Sequence, residues 1–542
     1  MRTTLHFVRS TIVTLVALNT FAALTRAQNV TIPDTGLNAA IRTALVKPTG
    51  PLTVQDLISL TNLDASQRDI TNLAGLEFAT NLLSLNLKGN LLRNPAFPAT
   101  LTRLTSLDLS QNRFGTFSLP SNLTGLVFLD LGLNGLTNVS LPNGLTNLTH
   151  LIIHGNTLLT NLNLPQGMTA LAYLDLNQND LGRVTFPADL RSLTNLNLSA
   201  NQLFSLTLPT GMSNLASLFL DHNHLDSLAL PADLTKLAVL DLFGNGIQLT
   251  NVTIPGSLTA LVDLDLAINQ LSSFTLPGGL TNLANVDLFE NFLTSFTLPA
   301  GLHSLTNLDL GINQLTSFTL PAGLTALARI DLGGNQLTSV TVPADTTNLT
   351  TLLLAFNQLT NVSLPPNMTK LQLIGLSQNK LKNLDLPSGL TSLAFLNLGN
   401  NQLTNLTLPP DMQQLIGLFV DGNPLTTFVL SELSAATNLA TTVATLRGQG
   451  VNVFTYPLTV QLLRPQQLIG AFQFGITGPP GAYNILQSDD LATWTQLAVT
   501  TNRLGAINFT DVTAHISSRR FYRAQLQGPT ANISDPLVTE SQ

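Results

Sequence analysis

The chain has 542 residues, of which 44% are hydrophobic and only 10% are charged, with a net charge of −7 and no cysteine. This composition is too apolar for a disordered chain. The acidic balance argues against a nucleic-acid partner, which requires a basic surface to neutralise phosphates. The lack of cysteine excludes disulfides, thiolate chemistry and cysteine-based zinc sites.

The first 27 residues have the features of a secretory signal peptide. Arg2 and Arg9 supply positive charge, and residues 11–24 are apolar but too short to cross a bilayer. Thr25 and Ala27 are small residues at the positions that a signal peptidase recognises. The alternative is that this segment stays uncleaved as an N-terminal anchor. No later segment reaches the roughly 18 apolar residues of a transmembrane helix. The sequence therefore predicts an exported chain whose mature part has no membrane span.

Residues 28–62 are predicted to form a helical N-terminal cap. Asp34 is placed to cap a helix whose apolar positions include Leu37 and Ile41. A second short helical turn is expected to begin at Thr53. Such a cap would cover the open end of the repeats that follow, which cannot bury their apolar side chains alone.

A 22-residue unit with the pattern L-x-x-L-x-L-x-x-N-x-L-T-x-x-x-L-P-x-x-L-T-x recurs over residues 63–428. The spacing of its asparagine is 22, apart from one step of 23 and one of 24. The asparagine occupies sixteen positions: Asn90, Asn112, Asn134, Asn156, Asn179, Asn201, Asn223, Asn245, Asn269, Asn291, Asn313, Asn335, Asn357, Asn379, Asn401 and Asn423.

Each unit reads as two extended segments joined by corners. The L-x-L segment alternates between inward and outward side chains, which predicts a short strand, and stacked copies would form a parallel sheet. The second half is rich in threonine and phenylalanine, which favour extended chain over helix. Its proline cannot donate to a hydrogen-bond ladder and marks a corner.

This unit resembles the leucine-rich repeat, and the N-terminal cap resembles that of bacterial leucine-rich-repeat proteins of the internalin type. The resemblance implies that the sixteen asparagine amides form a structural ladder inside the solenoid, bonded to backbone groups of neighbouring turns. The predicted fold class is a repeat solenoid with a parallel leucine-rich-repeat sheet, a mostly extended convex side and helical end caps. An exported chain of this kind without cysteine favours a bacterial source.

The end of the chain departs from the repeat. Residues 429–457 are predicted as a C-terminal cap, with one helix over 431–447 and a final strand after it. Residues 458–527 contain six short alternating runs, which predict a small all-β sandwich. Residues 528–542 are polar and are expected to be a disordered tail.

The sandwich region contains the pattern Y-x-I-x-x-S-x-D-L-x-x-W from Tyr483 to Trp494. It resembles a C-terminal β-module of exported bacterial proteins, a resemblance that implies no activity. Its aromatic residues either fill a core, as their alternating positions favour, or stack against sugar rings. They are Phe472, Phe474, Tyr483, Trp494, Phe509, Phe521 and Tyr522.

No catalytic motif accompanies these repeats, so the sequence predicts a protein that is not an enzyme and has no cofactor. His150 and His154 are expected to face the same side of one strand. Two histidines are fewer than the three or four ligands of a zinc site.

The residue between the two strand leucines should point outward from the concave sheet. It is aspartate in five consecutive repeats: Asp241, Asp265, Asp287, Asp309 and Asp331. Apolar residues are expected beside this row at Phe243, Ile268, Phe289 and Ile312. Like charges on neighbouring strands are destabilising, so the row would favour a cationic partner or Ca²⁺. The alternative is that aspartate is only the consensus of the repeat.

Together these patterns predict a secreted or surface-exposed, monomeric scaffold that binds a protein through its concave face. One alternative is a structural envelope or matrix protein, whose outward positions should show no localised patch. The other is carbohydrate binding through the C-terminal region, which requires Tyr483 and Trp494 to form an exposed row.

Overall fold

The computed structural model describes residues 28–94, 96–246, 248–514, 519–528 and 537–539. Residues 537–539 are described by their backbone alone. The predicted signal peptide, residues 1–27, lies outside these ranges. The chain divides into two compact units, Met1–Leu283 and Ala284–Gln542. Each unit contains a parallel sheet of short strands, as the predicted repeat solenoid requires.

The first unit begins with the elements of the cap. They are the strands Asn29–Val30 and Leu52–Thr53, which pair antiparallel, the helices Thr35–Ala44 and Val54–Ile58, and the 3-10 helix Leu76–Phe78. Asp34 caps the first helix, as its sequence position predicts, by accepting a 3.0 Å hydrogen bond from the backbone N–H of Leu37. Leu37 and Ile41 are fully buried and anchor that helix to the first turns.

The main sheet of the first unit consists of three-residue strands, one per repeat, paired parallel and in register. Leu174, at the centre of its strand, pairs with Leu151 on one side and Leu196 on the other, and all three are fully buried. The strands are Asn62–Asp64, Ser84–Asn86, Ser106–Asp108, Phe128–Asp130, His150–Ile152, Tyr173–Asp175, Asn195–Asn197, Ser217–Phe219, Val239–Asp241 and Asp263–Asp265.

The second half of each repeat in this unit is extended, which confirms the prediction from its threonine and phenylalanine content. Six of these stretches pair as strands: Thr116–Ser118 with Asn138–Ser140, Asn161–Asn163 with Arg183–Thr185, and Ser227–Ala229 with Asn251–Thr253. Their central residues point inward, so this side also contributes to the core.

The second unit continues the same construction. Its main-sheet strands are Asn285–Asp287, Asn307–Asp309, Arg329–Asp331, Thr351–Leu353, Leu373–Gly375, Phe395–Asn397 and Gly417–Phe419. Its remaining repeat and cap strands are Ser339–Thr341, paired with Asn361–Ser363, and Asn405–Thr407, Thr427–Ser431 and Asn452–Tyr456, which form one parallel sheet.

The single helix expected over 431–447 is wrong in one respect: the structure has two helices, Glu432–Ala436 and Ala440–Gly448. The backbone leaves the helical region at Thr437, with φ −119° and ψ −102°. This break turns Leu439 into the core, where it is fully buried, while Leu433 stays half exposed. Burial of one leucine is therefore favoured over continuity of the helix.

The C-terminal region is all-β, as predicted. One sheet contains Gln461–Leu468, Ala471–Thr477 and Ala506–Asp511, and the other contains Thr495–Asn502, Gly481–Ser488, Phe521–Leu526 and Leu537–Thr539. Within the stretch that the sequence predicts as a disordered tail, Leu537–Thr539 forms an antiparallel pair with Phe521–Leu526. No helix in the described ranges is long and apolar enough to cross a membrane.

Candidate functional site

The repeat asparagines point into the core of each unit. In the second unit, the amide of Asn313 donates to the carbonyl oxygens of Leu288 (2.9 Å) and Leu310 (3.2 Å), and its Oδ1 accepts from the N–H of Leu293 (3.0 Å). Fourteen of the sixteen asparagines are buried, and Asn134 and Asn423 are half-buried. These side chains join successive turns and leave the outward faces to other residues.

The five aspartates end strands of the main sheet, and each carboxylate closes a local turn. In the first unit, Asp241 accepts a 3.0 Å hydrogen bond from the N–H of Phe243, and Asp265 accepts one of 2.9 Å from Ala267. In the second unit, Asp287, Asp309 and Asp331 each accept a 2.9 Å bond from the N–H two residues later. The row is therefore part of the fold, a role that sequence reasoning missed.

Asparagine performs the same turn closure in other repeats. Asn197 accepts from the N–H of Ser199 at 3.0 Å, and Asn397 accepts from Gly399 at 3.1 Å. The alternation of Asp and Asn at this position was visible in the sequence and is typical of side chains that bond their own backbone two residues on.

The environment of Asp309, in the second unit, disfavours its charged form. Burial raises its pKa to about 6, and repulsion from Asp331 and Asp287 acts in the same direction. Arg329 compensates in part, because its Nη2 lies 3.0 Å from Asp331 Oδ2 and 3.9 Å from Asp309 Oδ2. In the first unit, burial and the neighbouring Asp221 likewise raise the pKa of Asp241.

Three predicted site residues of the second unit, Phe289, Asp309 and Asp331, surround Gly311. A β-carbon placed on Gly311 would lie 3.1 Å from Asp309 Oδ1, 3.1 Å from Phe289 Cδ2 and 3.5 Å from Asp331 Oδ1. Gly333 occupies the same position in the next repeat. Glycine is required at position 311 because a β-carbon there would press against the Phe289 ring and the Asp309 carboxylate.

The other predicted apolar neighbours lie elsewhere. In the first unit, the ring of Phe243 packs 5.3 Å from that of His222, and Ile268 is half-buried. In the second unit, Ile312 is half exposed. In the described parts of the chain, no group of three or more His, Asp or Glu side chains is arranged to hold a metal ion.

The expectation that His150 and His154 share a strand is wrong. The strand ends at Ile152, and His154 lies in the turn before Gly155, whose φ of +69° takes the backbone out of the extended region. His150 instead belongs to a row of rings on three adjacent strands, 6.2 Å from Phe128 and 5.7 Å from Tyr173. A comparison of the residues at the first position of each strand would have revealed this row in the sequence.

A group of exposed apolar side chains covers the last strands of the main sheet in the second unit. We call Leu373, Phe395, Ile416 and Phe419 the apolar patch. Leu373 is half-buried, and Phe395 is 43%, Ile416 58% and Phe419 51% exposed. Gly417 makes room for it, since a β-carbon there would lie 2.4 Å from Phe395 Cδ1. Sequence reasoning did not single out this patch.

Comparison with known proteins gives the family. Residues 131–240, 240–355 and 332–435 match the BspA-type leucine-rich repeat region, which together is more than half of the chain. The chain belongs to the BspA-type leucine-rich-repeat family. No curated protein matches the sequence.

Solved structures resemble this BspA-type chain in fold. The functional domain of InlJ from Listeria monocytogenes is 18% identical, with 95% of this chain and 98% of that chain covered and a TM-score of 0.55. A leucine-rich-repeat protein of Leptospira interrogans is 24% identical over 74% of this chain and 97% of that one, with a TM-score of 0.44. YopM from Yersinia enterocolitica is 24% identical over 72% and 91%, with a TM-score of 0.46.

The C-terminal region of this BspA-type protein does not present the aromatic row that sugar binding requires. Tyr483 is fully buried, and its hydroxyl donates to the carbonyl oxygen of Pro479 at 2.6 Å. Trp494 is half-buried beneath Arg523, whose guanidinium carbon lies 4.5 Å from the ring centroid. Phe474 and Tyr522 are fully buried as well, so these aromatic residues serve mainly as core.

Proposed function

We propose that this BspA-type leucine-rich-repeat protein is a non-catalytic scaffold, exported by a bacterial cell, that binds a protein through the outer face of its main sheet. The observation that carries the proposal is the apolar patch of the second unit. Leu373, Phe395 and Phe419 lie on three adjacent strands, and Ile416 directly precedes the last of these strands. Together they expose a large aromatic and aliphatic surface.

The patch stands out from the sheet around it. The first strands of the same unit carry polar outward residues, such as Asn285, Asn307 and Arg329, whereas Leu373 and Phe395 occupy the same position further along. Contiguous exposed apolar side chains rimmed by polar ones are typical of protein-binding surfaces, and aromatic residues dominate the binding energy of such surfaces.

A localised patch favours recognition over a purely structural role. A matrix protein built from identical turns gains nothing from exposing phenylalanine at one end of a sheet. The proposed export is supported by the composition of residues 1–27 and by the resemblance of the cap and repeats to bacterial exported proteins.

The test replaces patch residues with residues that the chain itself uses at the same sheet positions. Serine is the residue at the first strand position in Ser217–Phe219, and asparagine is the residue at the third in Phe395–Asn397. Phe395→Ser and Phe419→Asn should therefore preserve the strands. A photo-crosslinking amino acid at Ile416 of the full chain would be exposed to surface proteins of the producing cell. We expect one protein to be crosslinked, and excess unlabelled wild type to prevent the crosslink.

The double variant Phe395→Ser/Phe419→Asn should fail to compete with the labelled chain. A matched control is Phe204→Ser, which removes an equally exposed phenylalanine, 52% exposed, from outside the main sheet. Competition by the double variant as strong as that of wild type would refute the role of the patch.

A further inference from the structure

The second unit contains a cavity of about 320 Å³ where two of the last repeat corners meet the C-terminal region. Residues from 384–388 and 407–410 line it on the repeat side, and residues 479–481 and 526–528 line it on the side of the C-terminal region. Small-molecule sites have volumes of roughly 300 to 1,000 Å³. The cavity therefore has the size of a site for a small ligand.

Both sides of the cavity are held in place by a fully buried tyrosine. On the repeat side, the hydroxyl of Tyr456 donates to the carbonyl oxygen of Leu408 at 2.6 Å. On the other side, the hydroxyl of Tyr483 donates to the carbonyl oxygen of Pro479, also at 2.6 Å. The cavity is thus formed before a ligand arrives, which lowers the entropic cost of binding.

The lining is mostly aliphatic, and its backbone offers acceptors of hydrogen bonds. Pro409, Pro410, Pro479 and Pro480 line the cavity together with four leucines. A proline has a carbonyl oxygen but no N–H, so the backbone at these positions can only accept. Among the described residues of the lining there is no aromatic ring on which a sugar would stack. Such a lining fits the hydrocarbon part of a ligand that donates hydrogen bonds.

Asp385 is the one charged residue of this described lining. It lies two residues before the repeat proline, a position that Ser, Thr, Asn or Ala occupies in the other repeats with this proline. In the part of the chain that the structure describes, its carboxylate takes part in no ion pair. A carboxylate that departs from the repeat consensus, faces a cavity and has no cation beside it favours a positively charged ligand.

We propose that this cavity binds a small aliphatic amine, with the ammonium group on Asp385 and the hydrocarbon chain against the prolines and leucines. An ammonium group has three donors and no acceptor, which complements one carboxylate and a backbone that accepts. The site lies apart from the apolar patch and adds the binding of a small molecule to the proposed scaffold function.

Calorimetric titration of the full chain with hexylamine tests the site, and hexanol is the matched probe without a charge. We expect the amine to bind at least about fivefold more tightly than the alcohol, which is the effect of one partly exposed ion pair. Equal affinities, or no heat of binding at millimolar amine, would overturn the proposal. A capped Gly-Lys-Gly peptide carries the same ammonium group on a lysine side chain. It should bind more weakly than hexylamine, and tighter binding would overturn the assignment to a free amine.

The variant Asp385→Asn should reduce the preference for the amine to less than about twofold. Asp421→Asn is the matched control, because it removes an exposed carboxylate of the same unit from outside the lining. An equal loss of preference in the control would overturn the role of Asp385.

The variant Ser388→Phe should fill the cavity and prevent the binding of both probes. Thr407→Phe is a second filling variant at an exposed position of the lining, and circular dichroism checks that each variant is folded. Unchanged binding of the amine by a folded filling variant would place the amine outside the cavity and overturn the proposal. The patch variant Phe395→Ser/Phe419→Asn should bind hexylamine as wild type does, so the cavity and the scaffold function can fail independently. Loss of amine binding in the patch variant would contradict the assignment to the cavity.

Discussion

Asp511 Oδ2 and Arg520 Nη1 lie 2.7 Å apart inside the C-terminal region, with 1% and 8% of their side chains exposed. The same carboxylate oxygen accepts a 2.9 Å hydrogen bond from the hydroxyl of Tyr522, and Arg520 also donates to Thr513 at 2.9 Å. A buried ion pair contributes little relative to an apolar pair, but removing one partner leaves a charge without compensation.

Arg520→Met should therefore lower the free energy of unfolding of the C-terminal region by about 3 to 5 kcal/mol. The sequence has a single tryptophan, Trp494, which lies in this region, so its fluorescence during urea unfolding reports the region directly. Arg519→Met is the matched control, because Arg519 is exposed. A shift of the midpoint as large for Arg519→Met as for Arg520→Met would contradict this account.

Asn313→Ala should loosen the second unit. The change leaves the buried N–H of Leu293 without its acceptor. It also removes one of the two amide donors of the carbonyl oxygens of Leu288 and Leu310, which still accept from Asn291 and Asn335. A buried polar group without its partner costs about 1 to 3 kcal/mol, so we expect a loss of stability of that size. Hydrogen exchange of peptides from residues 284–335 would measure it, with the exposed neighbour Gln314→Ala as control. Unchanged protection in Asn313→Ala would show that the ladder bonds add no stability.

Asp309→Asn should stabilise the protein in a pH-dependent way. The folded-state pKa of Asp309, about 6, lies above the unfolded value of roughly 3.9, so ionisation opposes folding and stability is lost as pH rises from 4 to 6. At pH 7.5 the variant should be more stable than wild type by on the order of 2 kcal/mol, and near pH 3.5 the two should be equal.

Urea unfolding followed by circular dichroism at both pH values would check this, with the exposed Asp385→Asn as control. A gain of stability at pH 3.5 equal to that at pH 7.5 would mean that charge is not its cause.

Gly389→Ala should be severely destabilising. Gly389 has φ +92°, and its β-carbon would lie 2.3 Å from the Cα of Asn367, a backbone atom that cannot move alone. We expect a loss of about 3 kcal/mol or more, from the left-handed backbone and the overlap together. Gly399→Ala is the matched change, since its β-carbon would meet only the ends of two side chains, Asp421 at 3.3 Å and Asn397 at 3.4 Å. Thermal unfolding should separate the two variants, and equal melting temperatures would contradict the steric argument.

The repeat made most of the fold predictable, because a fixed spacing of leucine and asparagine determines strand, turn and stacking together. Leu308 and Leu310 illustrate this: both are fully buried, and the first lies at the centre of a strand, as L-x-L alternation predicts. The helix break at Thr437 was not predictable, since it depends on where the core can accept Leu439.

The candidate site was predicted less well, for a physical reason. The outward position of Asp309 followed from strand alternation, but its hydrogen bond to the N–H of Gly311 depends on the turn that follows the strand. The close contacts around Gly311 likewise depend on the side chain that glycine lacks. The apolar patch follows from comparing equivalent positions across repeats, where Phe395 stands in register with Leu373.

The repeat turns are connected by side-chain amides, and the chain has no cysteine. Amides neither titrate between pH 3 and 10 nor respond to thiol reductants, so these connections form with equal ease in a reducing cell interior and an oxidising exterior. The repeats therefore need no oxidative folding machinery, and they can assemble in either environment.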